Sequence, residues 1–173
     1  MQEKLTLEYI KNNFTPLDVN MGSGNDAYVE GAEIVERNNV ALIIKHPTEN
    51  KYLISKWKQV DWSGFLTGGI EDEESKEETA RKELIEESGF KNIRNIKDMD
   101  FASHGLFYHV IKKQNRLAHY NLVSIELEDL EQNEISEEEK LICDFIWVDE
   151  VEVTNNLKRD DMKSLWNFYL ENK

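Results

Sequence analysis

A short helix with clear start and stop signals constrains this sequence more than any other feature. Residues 68–90 read GGIEDEESKEETARKELIEESGF. Ser75 followed three residues later by Glu78 is the pattern of a capping box, which satisfies free backbone N–H groups at a helix start. Gly89 stands where a left-handed residue commonly ends a helix. Together these signals predict a helix over residues 76–88 that follows a glycine turn.

Three glutamates lie on one face of this predicted helix. Glu83, Glu86 and Glu87 are spaced i, i+3 and i+4, which brings their carboxylates together, and we call them the acidic triad. Only Glu86 has a cation one turn before it, Lys82, and only Glu87 has one a turn after it, Lys91. Three like charges repel unless a cation lies among them, and Mg²⁺ prefers oxygen ligands. The helix therefore carries a candidate magnesium site, with a solvated acidic face as the alternative interpretation.

The whole stretch resembles the Nudix box. That motif has Gly, five residues, Glu, seven residues, Arg-Glu, an apolar residue, any residue, Glu-Glu, any residue, Gly and a bulky apolar residue. Eight of its nine fixed positions match here, and Lys82 in place of arginine is the mismatch. The corresponding residues are Gly68, Glu74, Lys82, Glu83, Leu84, Glu86, Glu87, Gly89 and Phe90. A match of this length is a specific signal.

The resemblance implies a Mg²⁺-dependent hydrolase that splits a diphosphate linkage, with Mn²⁺ as an alternative ion. The ion neutralises the diphosphate and makes water a better nucleophile. By resemblance, the acidic triad holds the metal and the backbone carbonyl of Thr67 is a further ligand. The same resemblance implies that Glu74 pairs with Lys82 and orients the helix that carries the ligands.

The resemblance leaves the general base open between two regions. In some Nudix members the base is the first glutamate of the helix, which is Glu83 here. In others it comes from a later loop, and the acidic residues of ISEEEK are then the candidates, namely Glu137, Glu138 and Glu139. We assign Glu138 and Glu139 as catalytic candidates, against the alternative of an exposed acidic loop.

Two departures from the family pattern concern the same turn and helix. Arginine is a planar, two-pronged donor, whereas Lys82 is a point charge. This predicts a looser hold on Glu74 and the helix, and an activity that survives but is reduced. Glu73 replaces a common glycine. The turn therefore either avoids a positive φ or carries strain at this residue.

The fold predicted from the pattern is α+β. We expect a Nudix-like α-β-α sandwich with a central mixed sheet, a catalytic loop-helix-loop and a C-terminal helix. Strands are predicted at GAEIVER and VALIIKH with an Asn38-Asn39 turn between them, at residues 51–56, 62–67 and 145–151, and on both sides of a KKQNR hairpin. The C-terminal helix carries an apolar stripe at helical spacing, formed by Met162, Leu165, Trp166, Tyr169 and Leu170.

Length and composition predict one domain over residues 1–173. Residues 1–30 form an extension whose Leu5, Tyr9 and Phe14 pack either on the domain or on a second subunit of a homodimer.

A net charge of −14 disfavours nucleic acid and anionic membranes as partners. Cys143, the only cysteine, is expected to be a buried core residue. The N-terminus has no apolar core of signal-peptide length and no apolar run is long enough to span a bilayer, which predicts a cytoplasmic protein.

The sequence narrows the substrate only to a class. A nucleoside diphosphate linked to another moiety is implied: a nucleotide sugar, a dinucleoside polyphosphate or a nucleoside triphosphate. Trp62 and Tyr108 are the candidates for contacting its base, while His104, His109 and His119 are interpreted as sheet residues without metal-ligand spacing. The alternatives are a nucleotide-binding or regulatory Nudix module with weak catalysis, and a hydrolase of oxidised nucleoside triphosphates.

Overall fold

A computed structural model describes residues 5–173. The strands are β1 (Leu17–Val19), β2 (Ile34–Lys45), β3 (Lys51–Trp57), β4 (Ser63–Gly64), β5 (Leu66–Gly69), β6 (Ile93–His109), β7 (Gln114–Leu127) and β8 (Cys143–Asp149). The helices are α1 (Leu7–Asn13), α2 (Lys76–Glu83), α3 (Glu137–Ile142), α4 (Val153–Asn156) and α5 (Asp160–Asn172). A π-helical turn (Leu84–Ser88) extends α2, and a 3-10 turn (Glu150–Glu152) precedes α4. The predicted α+β class is confirmed.

The strands form one mixed sheet in the order β1-β6-β7-β2-β3-β4, with β5 paired to β2 and β8 paired to β3. The pairs β1/β6 and β2/β7 are parallel, and the other pairs are antiparallel. The two long strands β6 and β7 form the hairpin predicted around KKQNR. This arrangement confirms the predicted central mixed sheet.

Helices cover both faces of the sheet, and β2 supplies side chains to each. Ala41 and Ile43 of β2 belong to the core that packs under α5. Val40, Leu42 and Ile44 belong to the core under α2. All five are fully buried, as expected for a central strand with both faces covered. The sheet therefore separates α2 from α5, as in the predicted α-β-α sandwich.

The predicted Asn38-Asn39 turn is wrong. Strand β2 continues through both residues, because it pairs with β7 without a break from Ile34 to Lys45. Asn39 is also held on its other side by β5, opposite Gly69. Two neighbouring strands supply this backbone with hydrogen bonds, which outweigh the turn preference of asparagine.

The strand predicted over residues 62–67 is interrupted. It divides into β4, which pairs with β3, and β5, which pairs with β2. The fully buried Phe65 lies between the two segments and packs in the core under α5. At this point the chain leaves β3 and continues beside β2, and β5 then leads to the acidic helix.

The C-terminal stripe packs as predicted except at its end. Met162, Leu165, Trp166 and Tyr169 are buried in the core under α5. Leu170, which the pattern placed in the same stripe, is 38% exposed. Helix α5 ends two residues later, at Asn172, and Leu170 lies at the edge of the buried face.

The N-terminal extension packs on its own domain. Leu5 and Phe14 contact a small core that contains Ile10, Leu106 and Leu117, whereas Tyr9 is 43% exposed. Strand β1 then joins the sheet beside β6. In residues 5–173, no helix has the length and apolar character needed to cross a membrane.

Candidate active site

Local sequence signals position the acidic helix. The Ser75 hydroxyl accepts a hydrogen bond from the Glu78 N–H at 3.2 Å, and the Ser75 N–H donates to the Glu78 carboxylate at 2.8 Å. At the other end Gly89 has φ 77°, the left-handed cap that the sequence predicts. Between these caps the last turn widens into the π-helical segment. Such widened turns are frequent at functional sites.

The acidic triad spans the junction between α2 and the π turn. Burial, followed by repulsion from Glu86, raises the pKa of Glu83 to about 7. Burial, followed by repulsion from Glu83, raises the pKa of Glu87 to about 8. Glu86 is exposed. The three carboxylates therefore share a region in which negative charge is unfavourable.

A fourth carboxylate, Glu139, reaches the same region from α3. Burial and repulsion from Glu86 raise its pKa, and it in turn raises the pKa of Glu83 and Glu87. Glu138 is exposed, and of these acids it raises the pKa of Glu139 only. Glu137 pairs with Lys140 at 2.6 Å. Of the loop candidates, the structure brings only Glu139 to the acidic triad.

Backbone contacts explain why the later loop lies beside the acidic helix. The N–H of Asn133 donates to the carbonyl of Gly89 at 2.7 Å, and Phe90 forms a bridge with Gln132. Ser136 then caps α3 by accepting from the Glu139 N–H at 3.2 Å. These contacts join the end of the π turn to the segment that carries Glu139.

Strand β5 approaches the acidic triad at Gly68. A Cβ atom added at Gly68 would lie 2.0 Å from Cγ of Glu83 and 2.1 Å from Cδ. The Glu83 side chain therefore lies directly against the glycine backbone. Thr67, the predicted carbonyl ligand, is the next residue in the strand. Its role as a ligand stays a prediction.

The carboxylate oxygens of the acidic triad are the ligand type that a hard divalent cation prefers. Within residues 5–173, no group of three or more His, Cys, Asp or Glu side chains has metal-holding geometry in this conformation. Carboxylates that raise each other's pKa are nevertheless a donor set that Mg²⁺ would stabilise, because a cation removes the repulsion. Glu86 is exposed and has room to rotate. The acidic triad thus fits the ion by donor type.

The Glu74-Lys82 pair stands beside the acidic triad. Lys82 donates to both carboxylate oxygens of Glu74, at 2.9 and 3.1 Å, and the Thr79 hydroxyl donates to one of them at 2.9 Å. The Lys82 hydrogen bond lowers the pKa of Glu74. Glu73, just before it, has φ 70°. Of the two alternatives for this turn, the structure has the positive φ, which is strained for a glutamate.

We expect Lys82→Ala to lower kcat/KM about tenfold to a hundredfold, the usual cost of losing a residue that orients metal ligands. Without the lysine, Glu74 loses its main partner and the start of the acidic helix is less firmly held. Lys82→Arg restores a two-pronged donor and should match or exceed the parent. Measured kcat/KM values for both variants, with thermal unfolding as a check on folding, test this. Full activity in Lys82→Ala would contradict the orienting role.

An aromatic pocket lies on the other side of β5. It has a volume of about 140 Å³, and its wall includes both predicted base-contact residues, Trp62 and Tyr108, as well as Thr67. Trp57 and Phe107 also line it. Thr67 belongs to the pocket and its neighbour Gly68 contacts Glu83, so one strand joins the pocket to the acidic triad.

Sequence reasoning missed Arg116, which also lines this pocket. The sequence assigns it to the basic hairpin turn, but it lies in β7, two residues before the inward-facing Ala118 and four before Tyr120. Alternate residues of a strand face the same side, so the spacing of Arg116 from Ala118 and Tyr120 could have indicated that it faces inward.

His104, His109 and His119 contact groups outside the acidic triad, whereas Cys143 lies beside Glu87 and Glu139. His104 and His119 contact each other through their Nδ1 atoms at 2.7 Å, and His119 Nε2 lies 2.7 Å from Glu36. His109 contacts the backbone of Lys112 in the hairpin. Burial, followed by repulsion from Glu87 and Glu139, raises the pKa of the Cys143 thiol to about 12.

Solved structures resemble this fold at low sequence identity. The Escherichia coli dihydroneopterin triphosphate pyrophosphohydrolase is 13% identical, with a TM-score of 0.59, over 79% of this chain and 99% of that chain. A Nudix hydrolase from Listeria monocytogenes is 23% identical, with a TM-score of 0.57, over 77% and 91%. The Caenorhabditis elegans Ap4A hydrolase is 13% identical, with a TM-score of 0.54, over 79% and 98%. These similarities establish the fold.

A comparison with curated proteins finds no significant match. A family model, in contrast, covers most of the chain: the NUDIX domain matches residues 31–169. That range includes the acidic helix, both long strands and most of the C-terminal helix. The resemblance seen in the sequence is confirmed, and the chain belongs to the Nudix hydrolase family.

Proposed function

We propose that this Nudix hydrolase is a Mg²⁺-dependent pyrophosphohydrolase acting on a nucleoside diphosphate linked to another moiety. One observation carries the proposal: Glu86 and Glu139 raise the pKa of Glu83 and Glu87, Glu83 lies against Gly68, and an aromatic pocket opens one residue away at Thr67. The pocket is suited to a base, and the carboxylates are suited to a metal-bound diphosphate. The proposal places the enzyme in the cytoplasm.

In this proposal the acidic triad holds Mg²⁺, with Mn²⁺ as an alternative and the Thr67 carbonyl as a further ligand. When bound, the ion supplies charge neutralisation at the diphosphate and a lower pKa for water. Glu139 is the preferred general base, and Glu83 is the alternative. Glu139 is preferred over Glu138 because it interacts with the acidic triad while Glu138 faces solvent. Glu74 and Lys82 orient the helix.

The substrate class follows from the pocket and from the relatives. The solved neighbours include proteins named for dihydroneopterin triphosphate and for Ap4A. Both names describe phosphate anhydrides attached to a planar heterocycle. We therefore propose a nucleotide sugar, a dinucleoside polyphosphate or a nucleoside triphosphate as the substrate, with an oxidised nucleoside triphosphate as an alternative.

A nucleotide panel with Mg²⁺ and identification of products tests the function. We expect cleavage of at least one diphosphate compound, dependent on added metal and abolished by chelation. Release of inorganic pyrophosphate indicates a triphosphate substrate, whereas two nucleotide products indicate a dinucleoside polyphosphate. No cleavage of any compound would contradict the proposal.

A second candidate function is nucleotide binding without efficient turnover. Lys82 in place of arginine and the positive φ of Glu73 favour it, because both affect the turn that positions the acidic helix. Saturable nucleotide binding with no phosphate release in the same panel would support this alternative.

Binding of Mg²⁺ should release protons near neutral pH. The pKa values of Glu83 and Glu87, about 7 and about 8, lie above those of unfolded glutamate, so part of the acidic triad is protonated at pH 7. Metal binding requires the ionised form, and the apparent affinity should rise between about pH 6 and 9. Calorimetry in two buffers of different ionisation enthalpy measures the released protons. Binding without proton release at pH 7 would contradict this prediction.

The same shifts determine how the metal-free protein responds to pH. Carboxyl groups with a raised folded-state pKa contribute stability below their unfolded pKa, and this contribution is lost as pH rises through the folded value. The thermal unfolding temperature of the metal-free protein should therefore fall as pH rises from about 4.5 to about 8, and level off above that. Glu139→Gln removes one source of repulsion and should make this fall smaller.

A further inference from the structure

Residues that line the aromatic pocket carry unpaired hydrogen-bond donors. Within residues 5–173, four buried side-chain polar atoms have no hydrogen-bond partner. Three of them are donors that belong to residues lining this pocket: Trp62 Nε1, Arg116 Nε and Arg159 Nη2. A buried donor without an acceptor destabilises the protein, and an occupant that offers acceptors would relieve this cost. The donors therefore favour a ligand rich in acceptors.

Arg116 is the most exceptional of these donors. Among the described residues it forms no ion pair within 4.0 Å, and the charged groups that act on it are Arg37 and Tyr120, with no carboxylate. Three of the four other arginines have acidic partners: Arg37 contacts Glu71 at 2.8 Å, Arg94 contacts Glu128 at 3.1 Å, and Arg159 contacts Asp161 at 3.1 Å. The fourth, Arg81, is exposed to solvent, whereas Arg116 is half-buried. An arginine without an acid is unexpected in a chain of net charge −14.

The pocket walls indicate the shape of the ligand. Trp57, Trp62, Phe107 and Tyr108 supply aromatic rings, and Phe107 lies directly opposite Arg116 in the β6/β7 pair. Such walls suit a flat, uncharged ring system, which can stack on aromatic side chains. A phosphate group would be surrounded here mainly by apolar atoms and would lose its hydration. The walls therefore favour a heterocycle over an anionic group.

We propose that this pocket selects a 6-oxopurine base over a 6-aminopurine base. This inference rests on the proposed function and names its base. An arginine donates to the adjacent O6 and N7 acceptors of a guanine-type ring. A 6-aminopurine presents an amino donor in place of O6, so a donor of the pocket would face another donor. Arg116 is the specificity-determining residue, and Trp62 is a second donor in the same wall.

The test compares two nucleotides that differ in the substituent at position 6 of the purine and, as a consequence, in the proton on N1. These are GTP and 2,6-diaminopurine riboside triphosphate, assayed for kcat/KM with Mg²⁺. We expect the parent to prefer GTP at least about fivefold, the lower range for one good bidentate contact. Arg116→Gln, which both donates and accepts, should bring the ratio close to one. Arg94→Gln is the matched control, because Arg94 is a surface arginine that pairs with Glu128.

Binding without turnover gives a second readout. The Glu86→Gln variant is titrated calorimetrically with GDP and with 2,6-diaminopurine riboside diphosphate, with and without Arg116→Gln. We expect the same preference for the 6-oxo compound and its loss with Arg116→Gln. Arg116→Lys keeps the positive charge but loses the planar, two-pronged donor. This variant should retain only part of the preference for the 6-oxo compound.

The possible outcomes separate this inference from the proposed function. Cleavage of both nucleotides at equal kcat/KM, or a preference unchanged in Arg116→Gln, overturns the base assignment and leaves the hydrolase proposal standing. Tighter binding of inorganic phosphate than of guanosine, lost in Arg116→Gln, also overturns it, because Arg116 would then hold an anion. Preference in the calorimetric assay with no cleavage by the parent supports the base assignment and contradicts the proposed hydrolysis.

Discussion

Replacing Glu86 with glutamine should lower kcat/KM for diphosphate cleavage by at least about a hundredfold, beyond the usual loss for residues that merely orient metal ligands. Glu86 is the exposed member of the acidic triad, and its charge acts on both Glu83 and Glu87. Glutamine keeps the shape of the side chain and removes one anionic ligand. Mg²⁺ titrations of activity and direct Mg²⁺ binding should both show a weaker site.

Glu77→Gln on the same helix is the matched control. Glu77 is also an exposed glutamate, but it lies in the first turn of α2, away from the acidic triad. Its neutralisation should leave kcat/KM within about twofold, as expected for a surface change without partners. Both variants should unfold near the parental temperature. Equal activity of Glu86→Gln and the parent would contradict the metal-site assignment, and equal losses in both variants would indicate a general effect of charge.

The acidic helix could be predicted because its signals are local. Ser75, Glu78 and Gly89 satisfy the helix ends through contacts within a few residues, so the spacing alone identified both caps. The π turn could not be predicted. Leu84 begins this turn and Phe90 follows it, and both pack in a core with residues of strands far away in sequence, which the local pattern does not show.

The rest of the site depends on contacts between distant segments. Glu137, Glu138 and Glu139 are equivalent in the sequence, and Glu139 is distinguished only once contacts such as that of Asn133 with Gly89 bring this segment beside the acidic helix. The Asn38-Asn39 turn was mispredicted for the same reason. The pairing of β2 with β7 cannot be inferred from the residues around the two asparagines.

Gly68→Ala should also lower kcat/KM about a hundredfold, because misplacing a reacting group by about 1 Å can have that effect. The added methyl would lie 2.0 Å from Cγ of Glu83, and real atoms do not approach so closely. The backbone of β5 is held by its pairing with β2, so the Glu83 side chain must move. This displaces a carboxylate of the acidic triad without changing any charge. Activity and Mg²⁺ affinity, measured together, should both fall.

Gly69→Ala provides the control in the adjacent position. A methyl there would lie 2.7 Å from Nη2 of Arg37, which is the end of a flexible and partly exposed side chain. Arg37 can move aside without disturbing the acidic triad, so this variant should keep most of its activity. The pair therefore distinguishes contact with Glu83 from a general requirement for glycine in β5. Equal losses in both variants would favour that general requirement, and full activity in Gly68→Ala would show that catalysis does not depend on Glu83 lying against this strand.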